Sequence, residues 1–225
     1  MRAARSTVVS SLILACLAPL ALMGCQTKQT PLVVLEQKAD HEFEYQRWQK
    51  ASDYYAEIVE RDPSNDEAQF RYGLSLMENG NYSKAEGPLL TALALDPGND
   101  EIVYALARVM DECGQHAKLF AMLRNRAHDN RSVNTWMVVV EYAEKLDDYD
   151  TALEAVRNAC AVDNGEYVEP YYSAAVLLGR IGRTDDAIRR LRQAYAIDPG
   201  NDDVNRLLVE YGEVPGPTLG LAPGR

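Results

Sequence analysis

The chain has 225 residues, with 34 acidic side chains against 23 lysines and arginines, and carries a net charge of −11. No cluster of basic residues marks a surface that tracks phosphates, which excludes a nucleic-acid binder. The acidity favours a basic or neutral protein partner and keeps the chain clear of anionic lipid, or else serves solubility alone.

In chain order, the first predicted element is an export signal. Arg2 and Arg5 precede an apolar run from Val8 to Leu22, which ends in Leu22-Met23-Gly24-Cys25. A short positive segment, a hydrophobic stretch too brief for an ordinary membrane span and a small residue before the cut define it. The terminal cysteine makes it resemble a bacterial lipoprotein signal. That resemblance implies lipidation of Cys25 on its sulfur, with Cys25 as the first residue of the mature chain and palmitate among its acyl groups. An uncleaved N-terminal anchor is the other reading, and either way the folded part is exported and tethered. More than one buried acyl chain gives a stable anchor. Gln26, in place of aspartate, implies the outer membrane by analogy with enteric bacteria. Residues 25–31 form a linker so short that, at roughly 3.5 Å per residue, the folded part must sit close to the lipid surface.

Three pentapeptides then punctuate the chain: Asp62-Pro63-Ser64-Asn65-Asp66, Asp96-Pro97-Gly98-Asn99-Asp100 and Asp198-Pro199-Gly200-Asn201-Asp202. The first two prolines are 34 residues apart and the next two 102, three times that interval. Proline disfavours helical geometry before it and donates no amide hydrogen, so each Asp-Pro ends a helix. The Gly-Asn or Ser-Asn that follows makes the turn. Asn65 and Asn99 can cap the next helix, with Asp66, Glu67, Asp100 and Glu101 placing negative charge in its first turn.

Segments beginning at Leu32, Asp66, Asp100, Val133 and Val168 align position by position. A small residue that lets helices approach recurs as Ala51, Ala85, Leu119, Ala152 and Ala187. One helical turn on stand Tyr55, Leu89, Leu123, Val156 and Leu191, and then Ile58, Ala92, Arg126, Ala159 and Ala194. Gly80, Gly114 and Gly182 mark the turn within a unit, with Gln46 and Asp147 in their place elsewhere. An aromatic ring follows at Trp48, Tyr82 and Tyr149, replaced by His116 and Thr184. Gly73, Ala107, Val140 and Ala175 hold the close-contact site of the leading helix, with Trp136 and Tyr171 at its large-residue site. The third unit puts Arg126 on the packing face and Arg131 where proline is usual, and the fourth has Asn164 there.

On these residues the chain resembles the tetratricopeptide repeat family over roughly residues 32–211. The resemblance implies an all-α, right-handed superhelix of about five helix-turn-helix units, near 32–65, 66–99, 100–132, 133–167 and 168–201, capped by a helix over 202–211. Residues 212–225, rich in proline and glycine, are expected to be a disordered tail.

Nothing in the sequence points to catalysis. His41, His116 and His128 fall in no metal-binding or nucleophilic pattern, and no Gly-x-Ser-x-Gly or glycine-rich phosphate loop occurs. Cys113 and His116 are three residues apart, but His116 holds the aromatic turn position of the repeat, where packing explains it. Cys113 and Cys160 fall at opposite ends of the aligned stack, so they are expected unbonded, as small buried hydrophobes. No enzyme activity, metal, cofactor or small-molecule substrate is expected.

What the resemblance implies instead is recognition by the leading helices. Its ligand-contacting positions carry over to Phe70, Tyr104, Met137 and Tyr172, with Arg71, Leu74, Met77, Arg108, Val138 and Val176 beside them. Such an apolar and aromatic groove would take an apolar helix or an extended peptide. The other reading is that these side chains pad contacts between neighbouring leading helices. Phe70 with Leu74, and Tyr104 with Arg108, replace the lysine and asparagine clamp for a terminal carboxylate. The expected role is an envelope scaffold similar to the tetratricopeptide lipoproteins that assemble pili or secretion pores. An adaptor that recruits a cell-wall hydrolase or protease is the alternative.

Overall fold

A computed structural model describes residues 29–223. The export signal and Cys25 lie outside the described residues. Within them the chain forms helical hairpins: α1 (Leu32–Glu44) with α2 (Trp48–Arg61), α3 (Asp66–Glu78) with α4 (Tyr82–Leu95), α5 (Asp100–Glu112) with α6 (His116–Asp129), α7 (Val133–Lys145) with α8 (Tyr149–Val162), and α9 (Glu169–Arg180) with α10 (Thr184–Ile197). A last helix, α11 (Asp202–Glu210), follows α10. Each helix packs on the ones before and after it, and no strand occurs among the described residues.

The local chemistry of the punctuation explains the boundaries. Asp62, Asp96 and Asp198 accept the amide hydrogens of Ser64, Gly98 and Gly200, which closes the turn after each second helix. The Asn65, Asn99 and Asn201 side chains then accept from Ala68, Glu101 and Val204, so each caps the helix that follows. Where proline is missing, other groups do the same work. Arg131 ends α6 in the left-handed region at φ 49°, and Ser132 caps α7 through the Thr135 amide at 3.1 Å. After α8 the Asp163 carboxylate accepts from Gly165, Glu166 and Tyr167.

The turn inside each hairpin has one geometry throughout. The chain reverses through a positive φ at Gln46, Gly80, Gly114, Asp147 and Gly182, and the next amide bonds back to the carbonyl five residues earlier, as Asn81 does to Leu76 at 2.8 Å. Gln46 and Asp147 hold this conformation at φ 56° and 55°, at a cost that glycine avoids.

The core runs the length of the stack. Ala51, Ala85, Leu119, Ala152 and Ala187 are all fully buried, as are Leu89, Leu123 and Leu191 one turn on. Gly73 has no room for a side chain, since an added Cβ would stand 2.5 Å from Leu89 Cγ. Buried residues form two clusters, one over α1, α2 and Ala68 and one over the remainder, with Tyr72 packed against both. Burial pushes the Cys160 thiol up to about 11, and Cys113 is half-buried.

Two expectations are corrected. Arg126 does not face the core: it turns to the preceding junction, where it donates to Asp100 at 2.8 Å and to the carbonyls of Pro97 and Gly98, and Ala127 fills the packing position. Nor is the described part of the tail disordered. Arg192 Nε donates to the Leu219 carbonyl at 2.8 Å, Leu221 N to the Arg192 carbonyl at 2.9 Å and Gln193 Nε2 to the Ala222 carbonyl at 3.1 Å. Leu219 is 8 % exposed, and Gly220 passes so close to Ala196 that a Cβ would stand 3.1 Å away. Apolar burial and paired backbone groups hold a segment whose composition alone predicts disorder.

Two substitutions test this packing by thermal denaturation. Gln46→Gly should stabilise the chain by about 1 kcal/mol by removing left-handed strain. Gly73→Ala should destabilise it by roughly 1–3 kcal/mol through overpacking against Leu89.

Candidate protein-interaction face

The leading helices α1, α3, α5, α7 and α9 form one face, and an ion pair spans every junction along it. Asp40 accepts from Arg71 at 2.9 Å, Glu78 from Arg108 at 2.6 Å, Asp111 from Lys145 at 2.5 Å and Glu144 from Arg180 at 2.7 Å. Each joins one hairpin to the next. Most of these groups are solvent-accessible and contribute little each, but the Asp111 side chain is only 7 % exposed. Its bond holds Lys145 above the usual lysine range. The Glu78 bond does the same for Arg108.

The predicted contact residues divide into two groups. Phe70 is 8 % exposed and Met77 4 %, so both pad the stack. Leu74 is half-buried against the same core. Arg71 bonds Asp40 and Glu67 and lies over the Phe43 ring, which commits it to the first junction. Arg108 is engaged by Glu78. Tyr104, Met137, Val138, Tyr172 and Val176 keep partial exposure on α5, α7 and α9.

An open groove of about 560 Å³ lies between α7 and α9. It has Met137, Val138 and Val140 on α7, with Glu141, Glu144 and Glu169 around it. No lysine or arginine lines it. It can take an apolar side chain flanked by positive charge. Position matching along the repeat finds Met137 and Val138 but misses the carboxylates. Glu141 stands one helical turn after Met137, a spacing that was available as a signal.

Residues 37–100 match the tetratricopeptide repeat family model. Similarity to solved structures extends over the rest. A crystal structure of MamA protein has a TM-score of 0.58 at 17 % identity, covering 83 % of this chain and 98 % of that one. The fold is that of a tetratricopeptide-repeat solenoid. A MamA structure from Desulfovibrio magneticus RS-1 matches the solenoid at a TM-score of 0.56 and 14 % identity, over 76 % of this chain and 97 % of that one. YrrB, described as a TPR protein with an unusual peptide-binding site, matches at 0.52 and 17 % identity, over 79 % and 91 %. No curated protein matches the chain by sequence.

The junction ion pairs can be ranked by melting. Lys145→Ala should lower the melting temperature more than Arg108→Ala, because it leaves a nearly buried carboxylate with only the His116 ring beside it at 3.5 Å, whereas the Arg108 change should cost at most about 1 kcal/mol.

Proposed function

We propose that the chain is a membrane-tethered scaffold of the bacterial cell envelope, which binds a segment of another envelope protein on the leading-helix face. Tyr104, Met137, Val138, Tyr172 and Val176 are its contact residues. Cys25 carries the lipid, on the periplasmic face of the outer membrane, and the bound protein is a component of a pilus or secretion complex under assembly.

The observation that carries this reading is the uneven use of the face. Its N-terminal part, Phe70, Arg71 and Met77, is spent on internal packing. From α5 onward large apolar and aromatic side chains remain accessible beside an open groove. Partly exposed rings on a rigid helical face are suited to anchor a partner. The tether supports the placement, since α1 begins at Leu32, only a few residues after Cys25. The export signal supports the compartment.

Crosslinking in native envelopes, with identification of what is captured, tests the proposal. The Tyr104→Ala, Tyr172→Ala double variant should capture roughly tenfold less of the partner, as expected when two aromatic anchors are lost. Equal capture by that variant contradicts the face, and capture of a peptidoglycan hydrolase or protease contradicts the assembly role. Cys25→Ser should abolish palmitate labelling and release the chain from the membrane fraction.

A further inference from the structure

The second helices carry a different charge pattern, and it breaks the symmetry of the repeat. The ninth residue of α6, α8 and α10 is Arg124, Arg157 and Arg192, a stacked row of arginines in an acidic chain. Two of the three have partners. Arg124 reaches α8, where it donates to Thr151 Oγ1 at 3.2 Å and pairs with Glu154 at 3.6 Å. Arg192 holds the Leu219 carbonyl of the tail.

By the same register Arg157 should reach α10 at the positions equivalent to Thr151 and Glu154. Those positions are Asp186 and Arg189. Asp186 is taken by Arg183, with Nε at 2.7 Å. Arg189 therefore stands where the preceding junction has a carboxylate, so like charges replace an ion pair. Arg157 and Arg189 are both exposed, and neither makes a hydrogen bond or ion pair among the described residues. Both line one cleft of about 190 Å³ formed by α8, α9 and α10, with Arg190 and the Arg183–Asp186 ion pair beside them and Val156 and Leu178 in its wall.

We propose that this cleft is a second docking site, which takes an acidic segment of a partner polypeptide. A carboxylate between the two guanidinium groups supplies the charge that Glu154 supplies one repeat earlier. Such bonds are charge-assisted, and each guanidinium presents a planar fork matched to a carboxylate. An anionic bilayer is disfavoured as the occupant, because the chain's net charge of −11 repels it while a short acidic segment senses mainly the local field. The apolar wall suits a short aliphatic side chain next to the carboxylate.

The test uses the full chain in detergent and a fluorescein-labelled peptide, Glu-Glu-Leu-Glu-Glu-Leu-Glu-Glu, read by fluorescence anisotropy. Saturable, salt-sensitive binding is expected, at least tenfold weaker for Arg157→Glu with Arg189→Glu. Arg189→Glu alone should also lose the peptide yet melt at the same or a higher temperature, because it restores the pair seen between Arg124 and Glu154. No saturable binding by the native chain, or binding by the variants as tight as that of the native chain, overturns the proposal. So does an arginine-dependent preference for phosphatidylglycerol over phosphatidylcholine vesicles in place of peptide binding.

Discussion

Every hairpin in this chain leaves an apolar face that only the next hairpin can close. The residues that enforce this are small. Ala51, Ala85, Ala152 and Ala187 lie fully buried because they let helices approach, and Gly73 lies against Leu89 with no space for even a methyl group. The leucines one turn on, Leu89, Leu123 and Leu191, are then enclosed on all sides. Each such side chain contributes about 1.5–3 kcal/mol on burial, which an isolated hairpin could not recover. Stacking is thus the source of stability, and the long faces along the stack are its by-product.

Those two faces have been put to different electrostatic use. On the leading helices, pairs from Asp40 with Arg71 to Glu144 with Arg180 neutralise charge across each junction. This leaves apolar and aromatic side chains accessible on α5, α7 and α9, beside the carboxylates of Glu141 and Glu169. On the second helices the neutralisation stops at α8, where Arg157 and Arg189 line one cleft in a chain that is otherwise acidic. A solenoid repeats its backbone faithfully enough that a departure in charge at one junction stands out against its neighbours.

The fold was legible because its signals are local. Proline, Asp and Asn at a fixed interval act within a few residues of themselves, and the structure caps α3, α5 and α11 with the asparagines that the pattern marks. The positive-φ turn was legible at Gly80, and at Gln46 only by alignment, since glutamine shows no preference for it. What the sequence withheld depends on distant partners. Phe70 and Tyr104 hold equivalent positions, yet one is enclosed by its neighbours and the other is not. Arg126 looked like a defect in the packing face because the carbonyls of Pro97 and Gly98 that it serves belong to the previous junction. The tail escaped for the same reason: its order comes from Arg192 and Gln193, which lie on another helix.

The core is divided into two clusters, one over α1, α2 and Ala68 and one over the remaining helices. If stability resides in contacts between neighbouring hairpins, the chain has no single opening event. Native-state hydrogen exchange under rising denaturant measures this directly. Amides of α1 and α2 should exchange at concentrations that leave α4 to α7 protected. Loss of protection across all the helices at one concentration, with one opening free energy, would contradict it.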